Sequence, residues 1–346
     1  MAALSIAAKL AYRAQHVALL VNATAIHESA RLATRQPRIK IDRHVIELLR
    51  LRRAALHKTD LANVEHGYYP AQLLFGFRFF DYAKKTPTLL RETGRLLERK
   101  RTENFRDLPP VDLASYPPYY RRTFHWQTDG YLSERSATLY DAGVELLFRG
   151  TADVMRRQVL PPISKHVAAL HAQGRRRADI RIADIACGTG SLLKQLALTC
   201  PQTQISGLDL SPFYVAHARR ENRDAGITIE AGNAEAMPYA DNSIDALTCV
   251  YLFHELPRAA RRNVLREMLR VLRPGGVIAL EDSAQLTDSA TLGPVLTNFP
   301  VEFHEPFYRE YLSDDLATIC TEAGFIVESS RPHLVAKVVI AHKPKT

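Results

Sequence analysis

Asp184-Ile185-Ala186-Cys187-Gly188-Thr189-Gly190 stands between a β-branched run (Ile180, Ile182) and a helix-like stretch that opens Ser191-Leu192-Leu193-Lys194. Strand, tight glycine turn, helix is the arrangement in which a ligand reaches bare backbone at the end of a parallel strand. Gly188 and Gly190 remove the side chains that would block that approach. About twenty residues on, Ile205-Ser206-Gly207-Leu208-Asp209-Leu210-Ser211 reads as a second strand ending in an acid. A carboxylate at that distance is placed to accept both hydroxyls of a ribose. It could equally help Ser211 and Pro212 start the next helix. A pyrophosphate on the first helix would call for G-x-G-x-x-G, but Ser191, Leu192 and Leu193 follow Gly190. That argues against a nicotinamide or flavin enzyme.

The elements that must hold these residues continue downstream. A third strand begins near Ile227 and runs into the loop Gly232-Asn233-Ala234-Glu235, and Ile244 to Val250 gives a fourth, largely apolar strand. Tyr251-Leu252-Phe253-His254-Glu255-Leu256-Pro257 follows it. A basic amphipathic helix from about Arg258 to Leu272 meets a stop at Arg273-Pro274-Gly275-Gly276, and Val277 to Asp282 is a fifth strand. Short apolar strands alternating with helices predict a parallel sheet covered on both faces. Helix 314–322 and strands 325–328 and 334–342 should complete it, the last two joined at Arg331-Pro332-His333 and therefore antiparallel.

In order and spacing these segments resemble a class I S-adenosylmethionine-dependent methyltransferase, and within it the ubiquinone/menaquinone-biosynthesis C-methyltransferase type. The resemblance is close over residues 180–282 and looser to residue 346. It implies an α/β, Rossmann-like, seven-stranded sheet, mostly parallel with the last strand antiparallel, and S-adenosyl-L-methionine as cofactor. It implies that Asp184, Ala186, Gly188 and Gly190 line the methionine and sugar part, that Asp209 with Leu210 takes the ribose, and that Asn233 and Ala234 lie against the adenine. Two positions depart from the pattern. Asn233 stands where many relatives have aspartate, and Ala186 where a third glycine is common; the alanine is tolerable if it keeps negative φ.

A sulfonium is already an activated methyl donor, so the protein must align donor and acceptor, exclude water and take up the acceptor's proton. His254 and Glu255, just past the fourth strand, are the expected base and its tuning carboxylate. Tyr131, Tyr140 and Tyr251 are candidates for a ring cage around the sulfonium, with Tyr140-Asp141 resembling a pair found upstream of the first strand in this superfamily. The same rings could simply be packing aromatics. Residues 283–312 should form the acceptor side, with His304, Glu305, Phe307 and Tyr308 as its binding residues. No metal is expected: the four cysteines form no CxxC pair and read as buried apolar residues in a reducing compartment.

The charge is uneven. Residues 1–180 hold 30 Lys/Arg against 17 Asp/Glu, and residues 181–346 hold 16 against 20. The basic part favours an anionic partner, or is a solvated helical exterior. The first acid is Glu28, while Lys9, Arg13, Arg31 and Arg35 resemble a membrane-surface helix or an organellar presequence. No apolar run is long enough to span a bilayer. Residues 1–115 are expected to form a helical extension with an aromatic cluster at 68–82, and the proline-rich stretch 108–118 to mark its end, with the catalytic domain at 116–346. The expected acceptor is a small lipophilic or aromatic molecule in the cytoplasm, with peripheral-membrane or organellar placement as the alternative. Nucleic acid is a weaker reading, since the Asn/Asp-Pro-Pro-Tyr/Phe motif of amino-group DNA methylation is absent after the fourth strand. A non-catalytic cofactor-binding protein is the third.

Overall fold

The computed structural model describes residues 3–33, 35, 41–77, 79–125 and 127–345. The chain divides into two compact units, Met1–Met155 and Arg156–Thr346. The proline-rich stretch lies inside the first.

The first unit is helical: α1 (Ile6–Ala33), α2 (Arg43–Glu65), α3 (Phe79–Thr102) and α4 (Glu134–Leu147), with α5 (Ala152–Arg156) at its end. Buried Asp60 on α2 fastens α1 by accepting from the Tyr12 hydroxyl at 2.6 Å, and it accepts from Tyr69 at 2.6 Å. Such a network is stable only when its members satisfy one another. Ser133 caps α4 by accepting from the Ser136 amide. The aromatic cluster splits: Tyr69 and Tyr82 are buried, whereas Phe75, Phe79 and Phe80 are exposed.

The second unit is built on a seven-stranded sheet. Its elements run α6 (Leu160–Ala172), β1 (Arg181–Ile185), α7 (Ser191–Thr199), β2 (Gln204–Asp209), α8 (Pro212–Glu221), β3 (Thr228–Ala231), β4 (Ile244–Val250), α9 (Arg258–Val271), β5 (Leu272–Ser283), α10 (Gly293–Phe303), α11 (Tyr308–Ser313), α12 (Leu316–Glu322), β6 (Ile326–His333) and β7 (Ala336–His342). The strand order is β3-β2-β1-β4-β5-β7-β6. Strands β1 to β5 pair in parallel, and β7 is antiparallel to both β5 and β6. The expected mostly parallel sheet with an antiparallel last strand is therefore present. The order reverses beside β1, so the loops after β1 and β4 open at a switch point, where such sheets take ligands.

Two boundaries differ from expectation. Pro274-Gly275 lies within β5, which starts directly after α9 and pairs with β4 through a register shift between Ile244 and Ala246. A proline in an irregular stretch need not donate to the ladder, so it does not stop the strand. Likewise Arg331-Pro332-His333 belongs to β6, and the turn falls at Leu334-Val335.

Candidate functional site

The loops after β1 and β4 hold the glycines and the Tyr251–Glu255 segment, and Asp209 and Asp282 stand at the carboxyl ends of β2 and β5. Gly188 adopts φ +54°, and a Cβ built there meets nothing within 4 Å, so its face opens onto free space. Gly190 is different. At φ +80° its Cβ would sit 2.5 Å from Asn222 Nδ2 and 3.0 Å from the Ala218 Cβ, so glycine is required for packing against α8.

Ala186 has φ +56°. The expectation of negative φ fails, and the alanine holds a left-handed conformation that costs on the order of 1 kcal/mol. Tyr251, at the end of neighbouring β4, is also left-handed at φ +59°, with its amide donating to the Glu281 carbonyl at 2.8 Å. Two strained non-glycine residues at adjacent strand ends mark where packing over-determines the backbone.

Asp209 accepts from the Gly188 amide at 2.9 Å and the Ser211 amide at 2.9 Å. It therefore tightens the glycine loop and supports the start of α8, while each oxygen keeps a lone pair for a ribose hydroxyl. Burial pushes its pKa up to about 6, against the pull of those two amides. Asp184, also buried, is pushed up to about 7 although the Thr248 hydroxyl donates to it at 2.7 Å. Asn233 spends its carbonyl oxygen on the Glu235 amide at 2.9 Å, leaving its NH₂ as the natural donor to an adenine edge. Leu210 and Ala234 are half-buried in the loops after β2 and β3. These groups fit a nucleoside without phosphates: an open glycine face, a ribose acceptor and an amide donor.

Beyond the ends of β4 and β5 the structure gathers His254, Glu255 and Glu305, each placing a side-chain nitrogen or oxygen within 4.8 Å of the others. His254 Nδ1 is 2.6 Å from Asp282 Oδ1, and both residues are buried. Burial alone would lower the imidazole pKa, but Asp282, then Glu255 and Glu305, outweigh it and raise it above its ordinary value. The rings of Tyr308, Tyr251 and Tyr311 stand edge-on to the imidazole at 5.8, 6.2 and 6.2 Å. Burial drives the phenols of Tyr251, Tyr308 and Tyr311 above their ordinary value, so they remain neutral.

His304 is the left-handed cap of α10, and Phe307 precedes α11. Tyr131 and Tyr140 belong to the amino-terminal unit, where their rings lie 6.1 Å apart and Tyr131 stacks on Phe124 at 5.6 Å. Sequence reasoning passed over Asp282 and Thr248, whereas Tyr311 lies in the 283–312 segment expected on the acceptor side. Asp282 had a signal: like Asp209, it is an acid closing a buried parallel strand.

Parts of this chain are similar to known proteins. A family profile described as "Methyltransferase domain" matches residues 182–276. The demethylmenaquinone methyltransferase of Deinococcus radiodurans is 38% identical over 29% of this chain and 42% of its own length. The fatty-acid O-methyltransferase of Mycolicibacterium smegmatis is 29% identical over 40% of this chain and 52% of its own. A solved S-adenosylmethionine-dependent methyltransferase from Methanosarcina mazei, 20% identical, overlays on 51% of this chain and 98% of its own with a TM-score of 0.41. Residues 182–276 of the second unit thus carry a methyltransferase domain. In sequence it is similar to ubiquinone/menaquinone-biosynthesis C-methyltransferases and demethylmenaquinone methyltransferases. The chain spans 38 to 45% of the length of four such relatives, among them enzymes from Desulfotalea psychrophila and Desulfitobacterium hafniense.

Proposed function

We propose that the protein transfers a methyl group to a small lipophilic or aromatic acceptor of quinone-precursor type, and that His254 takes up the acceptor's proton. The observation that carries this is the buried imidazole just past β4, ringed by Tyr251, Tyr308 and Tyr311. Three aromatic rings suit a planar or prenylated acceptor, and an imidazole suits a proton that must leave near neutral pH. The relatives' names point the same way. When bound, the cofactor supplies an electrophilic methyl on a sulfonium. The chain's own residues do the rest: Gly188 leaves room, Gly190 packs the turn against α8, Asp209 and Asn233 orient the nucleoside, and the tyrosines exclude water. His254→Ala should lower turnover by about 10²–10⁴-fold with little change in cofactor affinity. Unchanged turnover would remove the base role.

For the first unit a membrane surface is the partner best supported. On α1, Ile6, Leu10, Val17, Val21 and Leu32 are 58 to 79% exposed. At 3.6 residues per turn they fall within an arc of about 80°, roughly opposite the buried Tyr12, Leu19 and Ala23. Lys9, Arg13 and Arg31 run along one edge of that arc. Glu28, the helix's one acid, is paired with Arg31 at 2.9 Å. Cations bordering an apolar stripe match an anionic bilayer surface. No helix among the described residues is long and apolar enough to cross a membrane.

A further inference from the structure

We propose that Asp282 is a positioning residue of this site, holding the His254 imidazole in a single tautomer so that Nε2 is the nitrogen presented to the acceptor. The inference rests on the reading of His254 as the proton acceptor and names the group that makes it one. Sequence order points to neighbouring Glu255 as the tuning carboxylate. The fold supplies a different one, from the end of the adjacent strand.

The geometry is that of a clamp. Asp282 Oδ1 faces His254 Nδ1 at 2.6 Å, and Oδ2 accepts from the Phe253 amide at 2.7 Å. The Ser283 amide also donates to Oδ1, at 2.7 Å. A carboxylate accepts and does not donate, so the proton of a neutral imidazole belongs on Nδ1 and the lone pair on Nε2. The partner thus selects the tautomer. The Phe253 bond fixes the backbone from which the ring projects, so one carboxylate sets both the position and the electronic state of the ring. Tyr308 and Tyr311 from α11 and Tyr251 from the end of β4 stand at 75°, 68° and 82° to the ring plane and oppose its rotation. Within this unit the charged groups facing the imidazole are Asp282 from β5, Glu255 from its own turn and Glu305 from the segment after α10. Of these, Asp282 makes the Nδ1 bond.

A purely structural role would make the same bonds, so the test must separate the two. Asp282→Asn keeps the shape and one carbonyl oxygen for the Phe253 amide, but loses the charge that selects the tautomer. The equivalent change in a serine protease triad costs about 10⁴ in kcat through the wrong tautomer. In the full-length protein Asp282→Asn should lower kcat by about 10²–10⁴-fold and move the limb of the pH–rate profile to lower pH. Calorimetry should find cofactor affinity within about threefold of wild type, and Asp282→Glu should recover part of the rate. Nitrogen-15 spectra of labelled wild-type protein should show His254 protonated at Nδ1 when neutral.

Wild-type kcat and pH profile in Asp282→Asn, with His254→Ala inactive, overturns the positioning role alone. Full activity in both variants removes the base reading with it. Equal losses of cofactor affinity and melting temperature in Asp282→Asn, with no change in the pH profile, assign Asp282 to scaffolding. If Asp282→Asn does not fold, the wild-type spectrum decides, and protonation at Nε2 overturns the proposal.

Discussion

Asp209 ties the glycine loop to the start of α8 and is the residue we propose for the ribose. Both its oxygens accept backbone amides, yet burial holds its pKa up at about 6. A ribose hydroxyl donates to the ionised form, so cofactor affinity should fall as pH drops through about 6, measurable by calorimetry between about pH 5 and 8, from about one unit below that value to about two above. Asp209→Ala should nearly abolish binding. Constant affinity across that range, or in that variant, would remove Asp209 from the site. Asp184 makes the opposite trade. Its folded pKa, about 7, lies above its unfolded value of 3.8, so neutralising or burying the charge costs stability that grows as pH rises from 3.8 to about 7. Asp184→Asn, whose amide oxygen can still accept from Thr248, should therefore raise the melting temperature of the cofactor-free protein most above pH 7. The gain should shrink toward pH 4, and a pH-independent change would contradict that sign. His254 carries a raised pKa, and as a base it must be neutral, so turnover should rise with pH through a value above 6.5.

At the scale of elements, the segment between β5 and β6 is tied to the core by buried ions. Fully buried Arg261 on α9 donates to Asp314 at 2.9 Å and to the Leu256 carbonyl at 2.7 Å, fastening the end of α11. Lys337 on β7, also buried, reaches Asp288 at 3.2 Å and Asp315 at 3.1 Å. Breaking such a pair from one side leaves a buried charge uncompensated, at about 3–5 kcal/mol. Asp314→Ala should lose roughly that much in urea denaturation and raise the KM for acceptor more than that for cofactor. A loss below about 1 kcal/mol would mean the anchor is dispensable. These anchors were not legible in the sequence, because Arg261 and Asp314 lie 53 residues apart and read as ordinary surface charges. The strands, by contrast, were legible because parallel strands buried on both faces are short apolar runs, as Ile244 to Val250 is. The glycine loop and Asp209 were legible because their spacing is local. Ala186 was misjudged for a related reason: its backbone angle is imposed by the surrounding packing, which no local pattern encodes. Asp282 was missed because its partner, His254, is brought to it only when β4 and β5 pair.

At the scale of the whole molecule, the two units differ in surface chemistry. Residues 1–155 hold 24 Lys/Arg against 16 Asp/Glu. Exposed large apolar side chains concentrate there too, from Ile6 on α1 to Phe80 on α3. Flotation with vesicles containing about one-third anionic lipid should recover the protein at low salt, with recovery falling as salt rises. Val17→Glu with Val21→Glu should abolish flotation while leaving cofactor affinity intact. Flotation unaffected by those changes, or a salt-independent dimer through α1, would contradict the lipid-facing assignment. The central claim is methyl transfer to a small lipophilic molecule at His254, and mass spectrometry tests it most directly. The protein is incubated with S-adenosylmethionine bearing an isotopically labelled methyl group and an organic-soluble cell extract. The account predicts a labelled small molecule in the organic phase with wild-type protein and its loss with His254→Ala. Label appearing only in nucleic acid or protein, or undiminished label with His254→Ala, would contradict it.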